Sequence, residues 1–215
     1  MLTIGIMLIG YLEIGFLFEA TKIIGESNFK LFMEFGIGVS KGFTISKSGC
    51  RVGAAVYAAS GRVSFGFTQY TEMSALEAGF KKISYSSGGG GSDLNIGRGL
   101  MTCKSGLFRS SGSSSSASAS GSSSSAAASV SSRFLVVLIA SKSKDDVKEA
   151  AKALKDMKVT IICVVLGQGA DKSQVEMIAT SSRYIVMVSQ ISQITSKVQQ
   201  VISLIKGGTL CISPI

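Results

Sequence analysis

The residues with chemistry to offer are few, and their types restrict what the chain can do. Histidine is absent, which removes the Ser-His-Asp triad, the Cys-His dyad and every His-ligated metal site. Two carboxylates stand out: Glu19, at the end of the apolar run 11–18, and Asp93, just after the glycines 88–91. As a pair they could do acid/base work, but nothing else in the sequence supports an enzyme. Gly167-Gln168-Gly169 follows an apolar run as a dinucleotide fingerprint would. Lys172 holds the third glycine position, however, and no acidic residue ends a second strand in the right context. The glycines 88–91 could cradle phosphate at a helix N-terminus. No Gly-Lys-Ser/Thr follows them, so they read as a turn entering a helix. Cys103 and Cys163 read as small buried hydrophobes. Cys50 opens a strand, where part of it would be exposed, and Cys211 lies beyond the last helix.

The elements that must position these residues follow from the apolar pattern. Residues 11–18 read as a buried strand, and 29–39 carry apolar residues at helical spacing. Residues 50–59 and 62–67 make a hairpin about Ser60-Gly61. Helices are expected over 70–83 and 93–108. Runs 134–139 and 159–166 are continuously apolar, as parallel strands buried on both faces should be. Helices over 144–158, 172–180 and 191–205 and a strand over 183–188 complete the series. Strands alternating with helices, with one hairpin, predict an α/β fold: a doubly wound, mostly parallel central sheet, Rossmann-like, with one antiparallel edge strand and helices on both faces. The domain spans 11–206, between an N-terminal extension (1–10) and a tail (207–215). The Ser/Ala/Gly-rich stretch 110–132 has nothing to anchor a core and reads as an insert or linker.

At 215 residues the chain can bury about 70% of its unfolded surface without disulfide or zinc. Its four cysteines are too few for a disulfide scaffold. The net charge is +9, with Lys and Arg spread along the sequence. The densest run, 142–158, is interrupted by Asp145, Asp146, Glu149 and Asp156, as on a solvated helix face. That pattern argues against a nucleic-acid patch and for a weak attraction to acidic glycans or acidic protein surfaces. Residues 1–18 lack a basic n-region and a small-x-small cleavage site, and Glu13 interrupts them. One or two buried strands account for them better than a signal peptide or a membrane span.

Several segments then resemble one family. The stretches 11–29 (YLEIGFLFEATKIIGESNF), 49–57 (GCRVGAAVY), 87–100 (SGGGGSDLNIGRGL), 133–167 and 174–188 (QVEMIATSSRYIVMV) resemble the von Willebrand factor type A domain, above all its extracellular-matrix branch in type VI collagen and matrilins. The order and spacing fit most of 11–205, and only the Ser/Ala/Gly tract exceeds the family's connection there.

The resemblance implies a metal-ion-dependent adhesion site at the carboxyl ends of the strands. The family builds it from Asp-x-Ser-x-Ser after the first strand, a Thr in the glycine loop and an Asp after the fourth strand. These are oxygen donors for Mg²⁺, a hard octahedral cation. Here the first motif aligns with Glu19-Ala20-Thr21-Lys22-Ile23, the loop Thr with Leu94 and the late Asp with Ala140. Glu19 keeps a carboxylate one methylene longer and Thr21 keeps a hydroxyl; Ile23, Leu94 and Ala140 offer no side-chain donor. A second register would recruit Ser92 or Asp93, but Gly97 favours the alignment given. The site is therefore expected to be degenerate, with no Mg²⁺ or other cofactor.

What the resemblance implies for function is a non-enzymatic, secreted, extracellular module. It would contact other matrix proteins, collagen or further copies of the domain within a larger assembly, with no nucleic acid and no membrane span. The alternative is a divalent-metal-dependent adhesion or ligand-binding domain. Contacts are expected at loops on the strand ends or on the edge hairpin, where Val63, Phe65 and Phe67 alternate and invite pairing. In related matrix proteins a terminal Cys often bridges to one before the first strand. None precedes Tyr11 here, so Cys211 is expected to be free or joined to another chain.

Overall fold

The computed structural model describes residues 11–85, 93–109 and 130–209. Its strands are β1 (Tyr11–Glu19), β2 (Cys50–Tyr57), β3 (Gly61–Phe65), β4 (Val130–Ile139), β5 (Val159–Leu166) and β6 (Ile185–Val188). They form one sheet in the order β3-β2-β1-β4-β5-β6, parallel throughout except for β3. The helices are α1 (Gly25–Ser40), α2 (Met73–Lys81), α3 (Ile96–Thr102), α4 (Lys148–Asp156), α5 (Lys172–Ile178) and α6 (Val198–Gly208). This is the doubly wound α/β sheet with one antiparallel edge strand that the alternation of elements predicts. No helix of the described residues is long and apolar enough to cross a membrane.

The four inner strands, β2, β1, β4 and β5, are buried on both faces because a helical layer covers each. Ile14, Phe16 and Phe18 of β1 face a core shared with α1, α2 and α6. Leu17 faces the second core, built with α3, α4 and α5. Gly15 is small because Phe108 fills the space beside it: a Cβ there would stand 3.1 Å from the ring and 3.2 Å from Leu135. The first core centres on aromatic rings. Phe80 of α2 stands edge-on to Phe16, Phe18 and Phe65 at centroid distances of 5.7, 6.2 and 5.2 Å.

Element ends differ from expectation for local reasons. β4 starts at Val130, inside the stretch 110–132 read as an insert, because its backbone extends the β1 pairing past Leu12. The insert's remainder, the extension 1–10 and Cys211 lie outside the described residues. The helix expected over 144–158 begins only at Lys148, where the Asp146 carboxylate accepts the Lys148 N–H at 2.8 Å. The helix expected over 93–108 is α3 followed by a π-helical segment, Cys103–Phe108. The one expected over 191–205 begins as 3₁₀ (Ile191–Lys197) before α6, which runs on into the residues read as tail.

The edge hairpin requires a correction. Val63 pairs with Ala55 and Phe65 with Ala54, so Ser64 is an extra residue in β3. Such a bulge reverses the alternation. Val63 packs against the second core, Phe65 enters the first, and Phe67 returns to the second beyond the strand's end. Phe65 and Phe67 are 3% and 4% exposed, so neither ring is available as a contact surface. Cys50 is also buried rather than partly exposed, because the chain before β2 folds over it through the Ile45 bridge. Cys103 and Cys163 are buried thiols, as their apolar surroundings in sequence suggest.

Candidate functional site

The β1–α1–β2 connection leads to one side of β1, while β4 lies on the other. The order of the sheet therefore reverses between β1 and β4, and a crevice outside their carboxyl ends is where this architecture places ligands. Glu19 ends β1 there, and Ala140 follows β4.

Glu19 does not point outward. Its side chain is fully buried, with Oε2 accepting the Ala140 N–H at 2.7 Å and Oε1 accepting the Thr21 hydroxyl at 2.6 Å. The loop that follows is fixed from both sides. Ala20 N–H donates to the Tyr57 carbonyl at 2.8 Å, and the Tyr85 hydroxyl donates to the Thr21 carbonyl at 2.7 Å. Beneath it, the Tyr57 hydroxyl donates to the Leu138 carbonyl at 2.7 Å. Burial pushes the Tyr57 phenol well above its usual range, so it stays a donor.

The remaining aligned positions scatter. Leu94 is buried at 2% exposure and Ala140 at 6%, whereas Ile23 is 63% exposed. Glu19, Thr21 and Ala140 are thus brought together through the Ala140 backbone rather than its side chain. Leu94 serves the second core, and Ile23 faces solvent.

A second group, invisible in the motif, organises the neighbouring rim. Asp145 accepts the N–H groups of Gly97 and Arg98 at 2.9 and 2.8 Å, and the Ser143 hydroxyl at 2.6 Å. Ser143 Oγ accepts the Ile96 N–H at 2.8 Å, and Gln174 brackets the Ser143 backbone at 2.8 and 3.1 Å. The loop after β4 thereby satisfies the open N–H groups that begin α3. Ser143 and Asp145 have the residue types of a helix cap. In sequence they precede α4, so nothing marks α3 as the helix they cap.

Burial raises the Glu19 carboxyl above its ordinary value, opposed by the hydrogen bonds from Thr21 and Ala140. The folded state therefore holds that proton more tightly than the unfolded chain. The resulting stability is complete below the ordinary value of 4.5 and is lost as pH rises through the folded value. Glu19→Gln should remove this dependence, because its amide oxygen can accept from Ala140 while its NH₂ donates to Thr21. In urea denaturation at pH 4.5 and pH 8, the variant should gain on the wild type at the higher pH. A constant difference would mean that Glu19 titrates normally.

Comparison with known proteins agrees with this architecture. The chain matches the von Willebrand factor type A domain model over residues 13–201. It is 29% identical to cochlin of Bos taurus over 152 residues, covering 71% of this chain and 24% of cochlin. It is 26% identical to the collagen alpha-1(XXI) chain of Homo sapiens over 195 residues, covering 88% of this chain and 18% of the collagen. The chain thus spans about a quarter or less of these relatives. In fold it resembles proximal thread matrix protein 1 from the mussel byssus, with a TM-score of 0.77 at 20% identity, covering 91% of this chain and 48% of that one. That protein has also been solved with zinc in its metal-ion-dependent adhesion site. The match from residue 13 to 201, over the same sheet and the same strand-end crevice, makes this chain a member of the von Willebrand factor type A domain family.

Proposed function

We propose that this domain is a non-enzymatic protein-interaction module of an extracellular matrix assembly, working without a bound metal. The observation that carries the metal-free reading is the internal satisfaction of Glu19, whose two carboxylate oxygens accept from Ala140 and Thr21. The donor set does not fit a hard cation, which takes about six oxygens in octahedral geometry. Ile23, Leu94 and Ala140 supply no side-chain oxygen, which leaves only Glu19 and Thr21 among the five aligned positions. The matrix placement is supported by the likeness to a collagen chain along 88% of this sequence. The partners it suggests are other matrix proteins, collagen or further domains of this type.

The test is thermal unfolding, and binding to collagen triple helices, in Mg²⁺ or Mn²⁺ and in EDTA. The expected result is no change in either. A functional metal present at 100 times its Kd would add about 2.7 kcal/mol, raising Tm by about 5–10 °C. A rise of that size, or binding abolished by EDTA, would establish the metal-dependent adhesion reading instead.

A further inference from the structure

The Lys and Arg residues that look scattered in sequence are sorted by the fold. Every Asp, Glu, Lys and Arg of the chain lies within the described residues. At the carboxyl ends of the strands, three cations are matched with carboxylates, Lys142 with Asp171 at 2.9 Å, Lys144 with Asp93, and Lys172 with Glu176 at 3.9 Å, while Lys22, Arg98 and Lys148 make no ion pair there among the described residues. At the opposite end the pattern changes. Five strands are parallel, so the chain enters each from the same side. Cations sit at these entries: Lys47 before β2, Arg51 within it, Lys158 immediately before β5, and Arg183 before β6. Lys206, in the last turn of α6, joins them, because α6 ends against Tyr184 and Phe134.

Three of these cations rest on rings rather than on carboxylates. The Arg51 guanidinium lies 3.6 Å from the Tyr11 ring centroid and donates to the Lys47 carbonyl. Arg183 lies 4.5 Å from the Tyr184 centroid, and Lys206 Nζ lies 5.6 Å from that of Phe43. A ring fixes a cation's position without neutralising its charge. The carboxylates nearby are already engaged: Glu13 is buried and paired with Arg133 at 3.1 Å, and Asp156 is paired with Lys152 at 2.7 Å. From β2 to β6 is four strand spacings, about 19 Å.

We propose that this strand-entry face binds a linear sulfated polysaccharide. A set of un-neutralised cations, three of them held on rings, suits a chain of repeated anions. The guanidinium donors of Arg51 and Arg183 beyond those given to the Lys47 carbonyl and the Tyr184 hydroxyl suit the oxygens of sulfate. Single-stranded nucleic acid is disfavoured because Tyr11 and Tyr184 are 7% and 6% exposed and already covered by their own guanidinium groups. Bases would find neither tyrosine face open to stack on. The choice of a polysaccharide among polyanions rests on the matrix placement proposed above. The face itself lies opposite the Glu19 crevice and does not depend on it.

The test is titration of the chain with a heparin-derived oligosaccharide at two salt concentrations. The variants are Lys47→Gln/Lys158→Gln/Lys206→Gln and, with the same change in net charge, Lys142→Gln/Lys144→Gln/Lys172→Gln at the other end. The wild type should bind, more weakly at high salt. The strand-entry triple variant should lose about tenfold or more in affinity, and the other less than about twofold. All replaced lysines are solvent-exposed, and thermal unfolding would verify that both variants are folded. Equal losses would reduce the effect to net charge and overturn the proposal, as would no binding by the wild type. Tighter binding of single-stranded DNA than of heparin would also overturn it, in favour of nucleic acid. None of these results bears on metal independence, which the EDTA comparison reads separately.

Discussion

Phe80→Ala should lower the free energy of unfolding by about 3–5 kcal/mol, measured by urea denaturation, without changing the strand topology. Phe80 is fully buried, and its ring joins three elements. It stands edge-on to Phe16 and Phe18 of β1 and to Phe65 of β3. It also closes on α1, where a Cβ on Gly36 would lie 2.8 Å from its ring. Truncation thus removes the packing of α2 on two strands and a helix together. All four of these neighbours are rigid rings or a glycine packed against rings, so the space can collapse only partly. A loss below about 2 kcal/mol would mean that α2 slides inward to fill the cavity.

Gly97→Ala should cost about 2–3 kcal/mol. A Cβ there would meet the Asp146 carbonyl oxygen at 2.2 Å and the Asp145 carboxylate at 2.9 Å. Neither can step aside freely: one is main chain, and the other holds the N–H groups of Gly97 and Arg98. The substitution therefore pushes the loop after β4 away from α3 and loosens the Asp145 bonds as well. Gly66→Ala is the control, since a Cβ there meets nothing within 4 Å. It should leave stability unchanged or raise it by about 0.4–1 kcal/mol. Equal effects in the two variants would show that space at Gly97 is not the cause.

The residues that announce the fold in sequence are those whose environment is uniform along an element. β5 is found at the expected 159–166 because every residue from Ile161 to Leu166 is buried. Where a single residue changes the geometry, the pattern misleads. Ser64 shifts β3 by one, and an alternation that looks like an exposed apolar edge is divided between two cores. The candidate site is legible only in part for a related reason. Glu19 and Thr21 are neighbours in sequence, but the atom that completes their arrangement is the backbone N–H of residue 140, to which any amino acid but proline could contribute. The cationic face is hidden in sequence altogether, because what gathers Lys47, Arg51, Lys158 and Arg183 is the common direction of the strands.

The three buried thiols have a kinetic meaning. Burial pushes Cys50 and Cys163 up to about 12 and Cys103 higher still, so the nucleophilic thiolate is almost absent from the folded state. In an oxidising compartment these cysteines are open to mispairing while the chain is still folding, and close to it once the sheet forms. The fold thus acts as its own clock. The interval between the chain's first exposure to oxidant and the docking of β2, β5 and the π-helical segment is the window in which a wrong disulfide can form. A variant that slows docking would accumulate cross-linked material even if its final stability were unchanged.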